Sequence, residues 1–251
     1  MPVTTTTIGG LEVRMVDTSG DPRAPSAAAA PVVVLLHGFS MAADDLAPFG
    51  ASLGVAALFL FPEGPVDLQP RGLRGRAWWM IDVAGRDAAV AGGVDRDLGD
   101  ENPPGLPAAR RVLAALVGEV RARWPGRPLF LGGFSQGAIL SLDLVLASRP
   151  ALAGLILLSS GRVTAAAWAS LMENVRGLRM FQSHGRADRE LSFAAAQSLA
   201  VQLAAAGADH TFLPFDGGHE IPLPVLRALK RFIRGGATAA ISPTEANNRG
   251  R

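Results

Sequence analysis

Cysteine and tyrosine are absent from this 251-residue chain, and Lys230 is the single lysine among 24 basic residues. Without cysteine there is no disulfide framework, no thiolate metal site and no cysteine nucleophile, and the redox compartment is left open. With tyrosine missing as well, almost nothing titrates between neutrality and the arginines, so an isoelectric point near 10.2 overstates a formal charge of only +2. Net charge is the useful measure. Twenty-four basic against 22 acidic residues give no reason to expect a nucleic-acid partner. No apolar run approaches the ~20 residues that span a bilayer, so stable membrane insertion is not expected. Met1-Pro2-Val3-Thr4 has neither a basic n-region nor an apolar h-region; a signal peptide is not expected, and the cytoplasm is the expected location.

What is present is a core. Hydrophobic residues make up 49% of the chain and charged ones 18%, enough for one compact domain, expected over 1–236, with 237–251 as a disordered tail rich in small and polar residues. Thr4 to Ile8 and Leu11 to Val16 flank Gly9-Gly10, the pattern of a hairpin with a primed turn. Asp21 to Pro31 reads as a linker. Val32-Val33-Val34-Leu35-Leu36 is apolar without alternation, as a strand covered on both faces must be, and similar runs begin at Ala56, Leu129, Gly154, Arg179 and Thr211. Between them, Leu113, Leu116, Val117, Val120 and Trp124 recur at helical spacing, and Val225, Leu226, Leu229, Phe232 and Ile233 repeat it before Gly235-Gly236, read as a stop. Ile139 to Leu146 is apolar nearly all round, as a buried helix is. Strand and helix alternate. The expected fold is α/β, with a central, mostly parallel sheet, helices on both faces and an N-terminal antiparallel hairpin.

The chemistry begins at Gly133-Phe134-Ser135-Gln136-Gly137, a G-x-S-x-G between a strand and a helix. A serine on so sharp a turn presents Oγ to solvent, and the glycines remove Cβ atoms that would collide where strand and helix pack. The amide of Gln136 then faces a developing oxyanion. Such a serine needs a base after it in the chain, preceded by an acid. His219, in the glycine-rich Asp216-Gly217-Gly218-His219, fits better than His184, which ends a strand, or His210, which opens one. Asp188 follows a strand end and can accept from Nδ1 of His219, fixing its tautomer; Asp216, in the histidine's own loop, is the rival. A second oxyanion donor is expected at Phe39, after the strand that ends in Leu36-His37-Gly38.

These motifs together resemble the carboxylesterase, phospholipase and acyl-protein thioesterase family of α/β hydrolases. The resemblance runs from His37-Gly38 through Phe61-Pro62-Glu63-Gly64-Pro65, Arg76-Ala77-Trp78-Trp79-Met80-Ile81-Asp82 and the serine turn to His184-Gly185 with Asp188 and Gly218-His219-Glu220-Ile221-Pro222, covering Pro31 to Phe232. It implies a serine esterase without metal or cofactor, acting on small-molecule esters, with Ser135, Asp188 and His219 as triad and the backbones of Phe39 and Gln136 as oxyanion hole. Two departures stand out. Leu191-Ser192 occupy the place of the family's usual Val-Pro, and Ala84 to Pro104 matches no usable pattern, so substrate preference is expected to lie there. Trp78 and Trp79 are candidates for the wall of an acyl pocket, with plain packing as the alternative. A transferase or peptidase using the same triad, and a non-catalytic binding protein on this scaffold, remain open.

Overall fold

A computed structural model describes residues 2–20 and 29–241. Eight strands form one sheet: β1 (Thr4–Ile8), β2 (Leu11–Asp17), β3 (Val32–Leu36), β4 (Leu58–Pro62), β7 (Leu129–Phe134), β8 (Gly154–Leu158), β9 (Arg179–Gly185) and β10 (Asp209–Phe215). Their spatial order is β1-β2-β4-β3-β7-β8-β9-β10. The pairs β1·β2 and β2·β4 are antiparallel and all the others parallel. Both Gly9 and Gly10 have positive φ, as the hairpin turn requires. A two-stranded ribbon, β5 (Val66–Asp67) with β6 (Arg76–Ala77), stands apart from the sheet.

The unbroken apolar runs have a physical reason. Every residue of β3, β4, β7 and β8 is buried, and each strand sends alternate side chains to opposite sides of the sheet. Val32, Val34 and Leu36, with Leu129 and Leu131, enter one core together with Leu113, Leu116 and Val120 of α3 (Leu106–Arg123), the buried α4 (Gln136–Ser148) and α6 (Phe193–Ala205). Val33 and Leu35, with Phe130, enter the other, beneath α1 (Ala43–Ser52) and α7 (Leu223–Ile241). The described residues also include α2 (Val83–Gly92) and the short α5 (Ala165–Ala169).

The expected stop at Gly235-Gly236 is corrected: α7 runs through both glycines to Ile241. Gly236 serves close packing. A Cβ on Gly236 would lie 2.7 Å from the Phe130 ring, so the helix reaches the sheet only because that atom is missing. Helix therefore occupies 237–241, and the rest of the expected tail, like 21–28 of the expected linker, lies outside the described residues. Among the described residues no helix is long and apolar enough to cross a membrane.

Candidate active site

Sheet order locates the site before any side chain does. The chain leaves β3 toward β4 on one side and later returns to β7 on the other, so β3 and β7 flank the switch point, where loops diverge and leave a crevice beyond the strands' carboxyl ends. Leu36 pairs with Gly133 at that end, which brings the loop at Gly38-Phe39 beside the turn at Ser135.

Ser135 has φ 54° and ψ −119°, in the left-handed half of the backbone map that L residues rarely occupy. Its amide donates to the Leu158 carbonyl at 2.9 Å, while its own carbonyl accepts from the amides of Ala138 and Ile139, so strand and helix hold the turn from both sides. Gly133 and Gly137 make this possible. A Cβ on Gly133 would lie 2.5 Å from the Leu36 carbonyl oxygen and 2.7 Å from Gly137, and one on Gly137 would lie 2.5 Å from the same oxygen. Gln136 occupies the first turn of α4, where backbone N–H groups have no partner within the helix.

Asp188 and His219 come from the ends of two paired strands. Phe215 pairs with Gly185, and beyond that register the amides of Arg186 and Ala187 donate to the carbonyls of Phe215 and Gly217. Asp188 and His219 are thereby held on adjacent loops, with Nδ1 of His219 2.7 Å from Oδ2 of Asp188. The other carboxylate oxygen, Oδ1, accepts from the amides of Glu190 and Leu191 at 2.8 and 3.0 Å. Burial would raise the Asp188 pKa, but hydrogen bonds from His184 and His219 prevail and hold it well below the usual carboxylate range. Asp216 has no part in this pair: its side chain is 97% exposed and lies 3.5 Å from Arg186.

Ser135, His219, Phe39 and Gln136 all line one cavity of about 570 Å³. Apolar side chains such as Trp79, Ile81, Leu98, Ile139 and Val163 form much of its wall. The stretch expected to carry preference contributes heavily through α2 and the loop after it, including Arg86, Arg96, Asp97 and Leu98. Ion pairs tie that stretch to the rest of the cavity. Arg86 and Arg96 approach the Glu190 carboxylate at 3.6 and 3.9 Å, and Asp97 pairs with Arg162. Ser192, one of the two departures, N-caps α6 by accepting from the Ala195 amide and donates its hydroxyl proton to Asp95. Leu191 lines the cavity.

The two tryptophans separate. Trp79 faces the cavity, whereas Trp78 is buried, its ring 5.4 Å from that of His37 and its indole N–H donating to the His37 carbonyl. Residue pattern alone missed the link between these motifs. The Gln136 side chain accepts from the Trp78 amide at 2.9 Å and donates to the Trp79 carbonyl at 2.8 Å, clamping the tryptophan segment to the serine turn. His37 is equally occupied: Nε2 accepts from the Gly64 amide at 2.9 Å, which leaves Nδ1 to donate to the Gly38 carbonyl at 2.8 Å. Glu63 lies 3.5 Å from that Nε2, but the nitrogen's lone pair already accepts a hydrogen bond from the Gly64 amide, so the imidazole is neutral; burial lowers its pKa to about 4. Among the described residues no cluster of three or more His, Cys, Asp and Glu could hold a metal ion.

Comparison with known proteins agrees with this architecture. The sequence matches the family described as Phospholipase/Carboxylesterase over residues 23–235. Similar solved structures include esterase PE8 (23% identity, TM-score 0.70, covering 94% of this chain and 99% of that one). Another is SOBER1 of Arabidopsis thaliana, at 23% identity and TM-score 0.67 over 82% of this chain and 99% of that one. A third, a carboxylesterase from Mesorhizobium loti, has 17% identity and TM-score 0.68 over 94% and 100%. No curated protein matches the sequence at a significant level.

Proposed function

The chain belongs to the phospholipase/carboxylesterase family of α/β hydrolases, and from that premise we propose that it is a serine carboxylesterase using Ser135 as nucleophile, His219 as base and Asp188 as its acid. One observation carries the reading. His219 donates a hydrogen bond from Nδ1–H to the Asp188 carboxylate at 2.7 Å and borders the cavity that Ser135 also borders, so its bare nitrogen is Nε2.

In the first half-reaction, Nε2 of His219 takes the Ser135 proton as Oγ attacks the ester carbonyl carbon. The Asp188 carboxylate stabilises the imidazolium that forms. The carbonyl oxygen, now carrying the charge, accepts from the amides of Phe39 and Gln136. Collapse breaks the bond to the alkoxy or thiolate oxygen or sulfur, which leaves with the proton from His219, and Ser135 is acylated. Water then enters by the same route: His219 takes its proton, the tetrahedral adduct forms and collapses, and the acid departs with Ser135 reprotonated.

The substrate is a carboxylic ester whose acyl chain lies against Trp79, Leu98, Ile139 and Val163; a cavity of about 570 Å³ suits a small molecule. The esterase and carboxylesterase described for the similar structures support this class. A panel of p-nitrophenyl esters of increasing acyl length, with a thioester and a lysophospholipid alongside, tests it. Turnover with an optimum in acyl length supports the reading, and acyl transfer to an added acceptor in place of acid release would favour a transferase.

A further inference from the structure

Asp188 has a second histidine within reach of the carboxylate oxygen that receives His219. His184 is fully buried at the end of β9. Its Nε2 lies 3.1 Å from the Leu191 carbonyl oxygen and 3.2 Å from Oδ2 of Asp188, the oxygen that also receives His219. Both neighbours of that nitrogen are acceptors, so Nε2 must carry a proton; a bare Nε2 would set its lone pair against two oxygens. The other ring nitrogen, Nδ1, is buried with no hydrogen-bond partner. A proton there would bury a cationic N–H without an acceptor, at a cost much larger than leaving a neutral lone pair unmatched. Geometry alone thus selects the neutral Nε2–H tautomer.

Resting on the triad reading above, we propose that His184 is a positioning residue for the acid: a neutral donor that fixes the Asp188 carboxylate for His219 without neutralising it. The neutrality matters. A cation at this position would pair with Asp188 and cancel the charge that stabilises the His219 imidazolium, whereas a neutral N–H restrains Oδ2 and leaves the net charge of the carboxylate in place. The Glu190 and Leu191 amides hold Oδ1, and His184 supplies the corresponding restraint on Oδ2. The same N–H reaches the Leu191 carbonyl, so the histidine also closes the loop that carries Asp188 onto its own strand.

The test has two arms, a spectrum and a set of variants. With only four histidines in the chain, ¹⁵N-histidine labelling of the wild-type protein resolves each ring, and the signals lost in His184→Gln assign its own. We expect Nδ1 at the frequency of an unprotonated ring nitrogen and Nε2 at that of a protonated one; a proton on Nδ1 overturns the proposal whether or not His184→Phe folds. In the esterase assay, His184→Phe removes the donor and should lower kcat about ten- to a hundred-fold while KM stays within about twofold. His184→Gln puts an amide N–H where Nε2 stood and should restore kcat to within about threefold of wild type. Wild-type kcat in His184→Phe, or no rescue by glutamine, contradicts the role. Asp188→Asn, assayed beside them, separates the two levels: if it also keeps full activity, the triad assignment itself fails and this proposal with it, and if it collapses while His184→Phe does not, only the proposal fails.

Discussion

Oδ2 of Asp188 lies 2.7 Å from Nδ1 of His219 across 31 residues of sequence, while Asp216, in the histidine's own loop, is turned out to Arg186. Strand pairing explains the preference for the distant partner. β9 and β10 end side by side, so loops far apart in sequence start from adjacent points, whereas a residue within a tight glycine turn faces away from its neighbour's ring. Asp188→Asn keeps the shape but offers an N–H where an acceptor is needed, and should cost about ten-thousand-fold in kcat, as the same change does in a serine protease. Asp216→Asn removes an exposed pair worth at most ~1 kcal/mol and should change activity by less than about threefold. Steady-state kinetics on both variants, with circular dichroism to confirm folding, checks the assignment; the reverse pattern would transfer the acid role to Asp216.

The Gln136 clamp makes a prediction about stability. Gln136→Leu keeps the volume but leaves the Trp78 amide and Trp79 carbonyl buried without their partners, a loss on the order of 3 kcal/mol. Urea unfolding should show a lower midpoint at unchanged slope. An unaltered midpoint would mean that water or a shifted backbone satisfies both groups.

His37 makes a prediction about acid. The folded state lowers its pKa from 6.5 to about 4 because the ring is buried, so between those values the unfolded chain binds the proton and the native one does not. Stability then rises with pH across that window and is lost as pH falls from 6.5 toward 4, by about 3 kcal/mol at most. Glu63 and Asp143, both raised chiefly by burial, act in the opposite sense on the acid side, and His210, lowered by burial, acts in the same sense as His37. Comparison with His37→Gln isolates the histidine: its unfolding free energy should depend less on pH between 6.5 and 4. Parallel curves for the two proteins would contradict a neutral buried His37.

Much of this architecture is legible in the sequence, for a reason visible in the two cores. A strand buried on both faces has no room for polar residues, so β3 and β8 stand out as apolar runs with the bounds found in the structure. The serine turn is legible because its geometry admits only glycine at 133 and 137. The helix end at Gly235-Gly236 is not, since a glycine that ends a helix and one that lets a helix touch a sheet look alike in sequence. Nor are the Gln136 clamp and the second donor on Asp188. Both join residues distant in the chain, and Gln136 and His184 signal only that a polar side chain within an apolar stretch must find a partner somewhere. The helix α2 carries no buried residue, so the core imposes no apolar stripe that would announce it.

Serine itself gives a prediction independent of the acid. Ser135→Ala should fold normally and lose on the order of a million-fold in kcat, by the precedent of triad knockouts in another serine hydrolase. Ester turnover that survives within about tenfold would exclude Ser135 as the nucleophile.

The most direct measurement of the central claim is covalent labelling of the wild-type enzyme by a serine-directed organophosphonate, followed by peptide mass spectrometry. One adduct per chain is expected, on the peptide containing Ser135, formed in proportion to the loss of esterase activity. An adduct on another residue that accompanies inactivation, or turnover that persists with Ser135 fully modified, would contradict it.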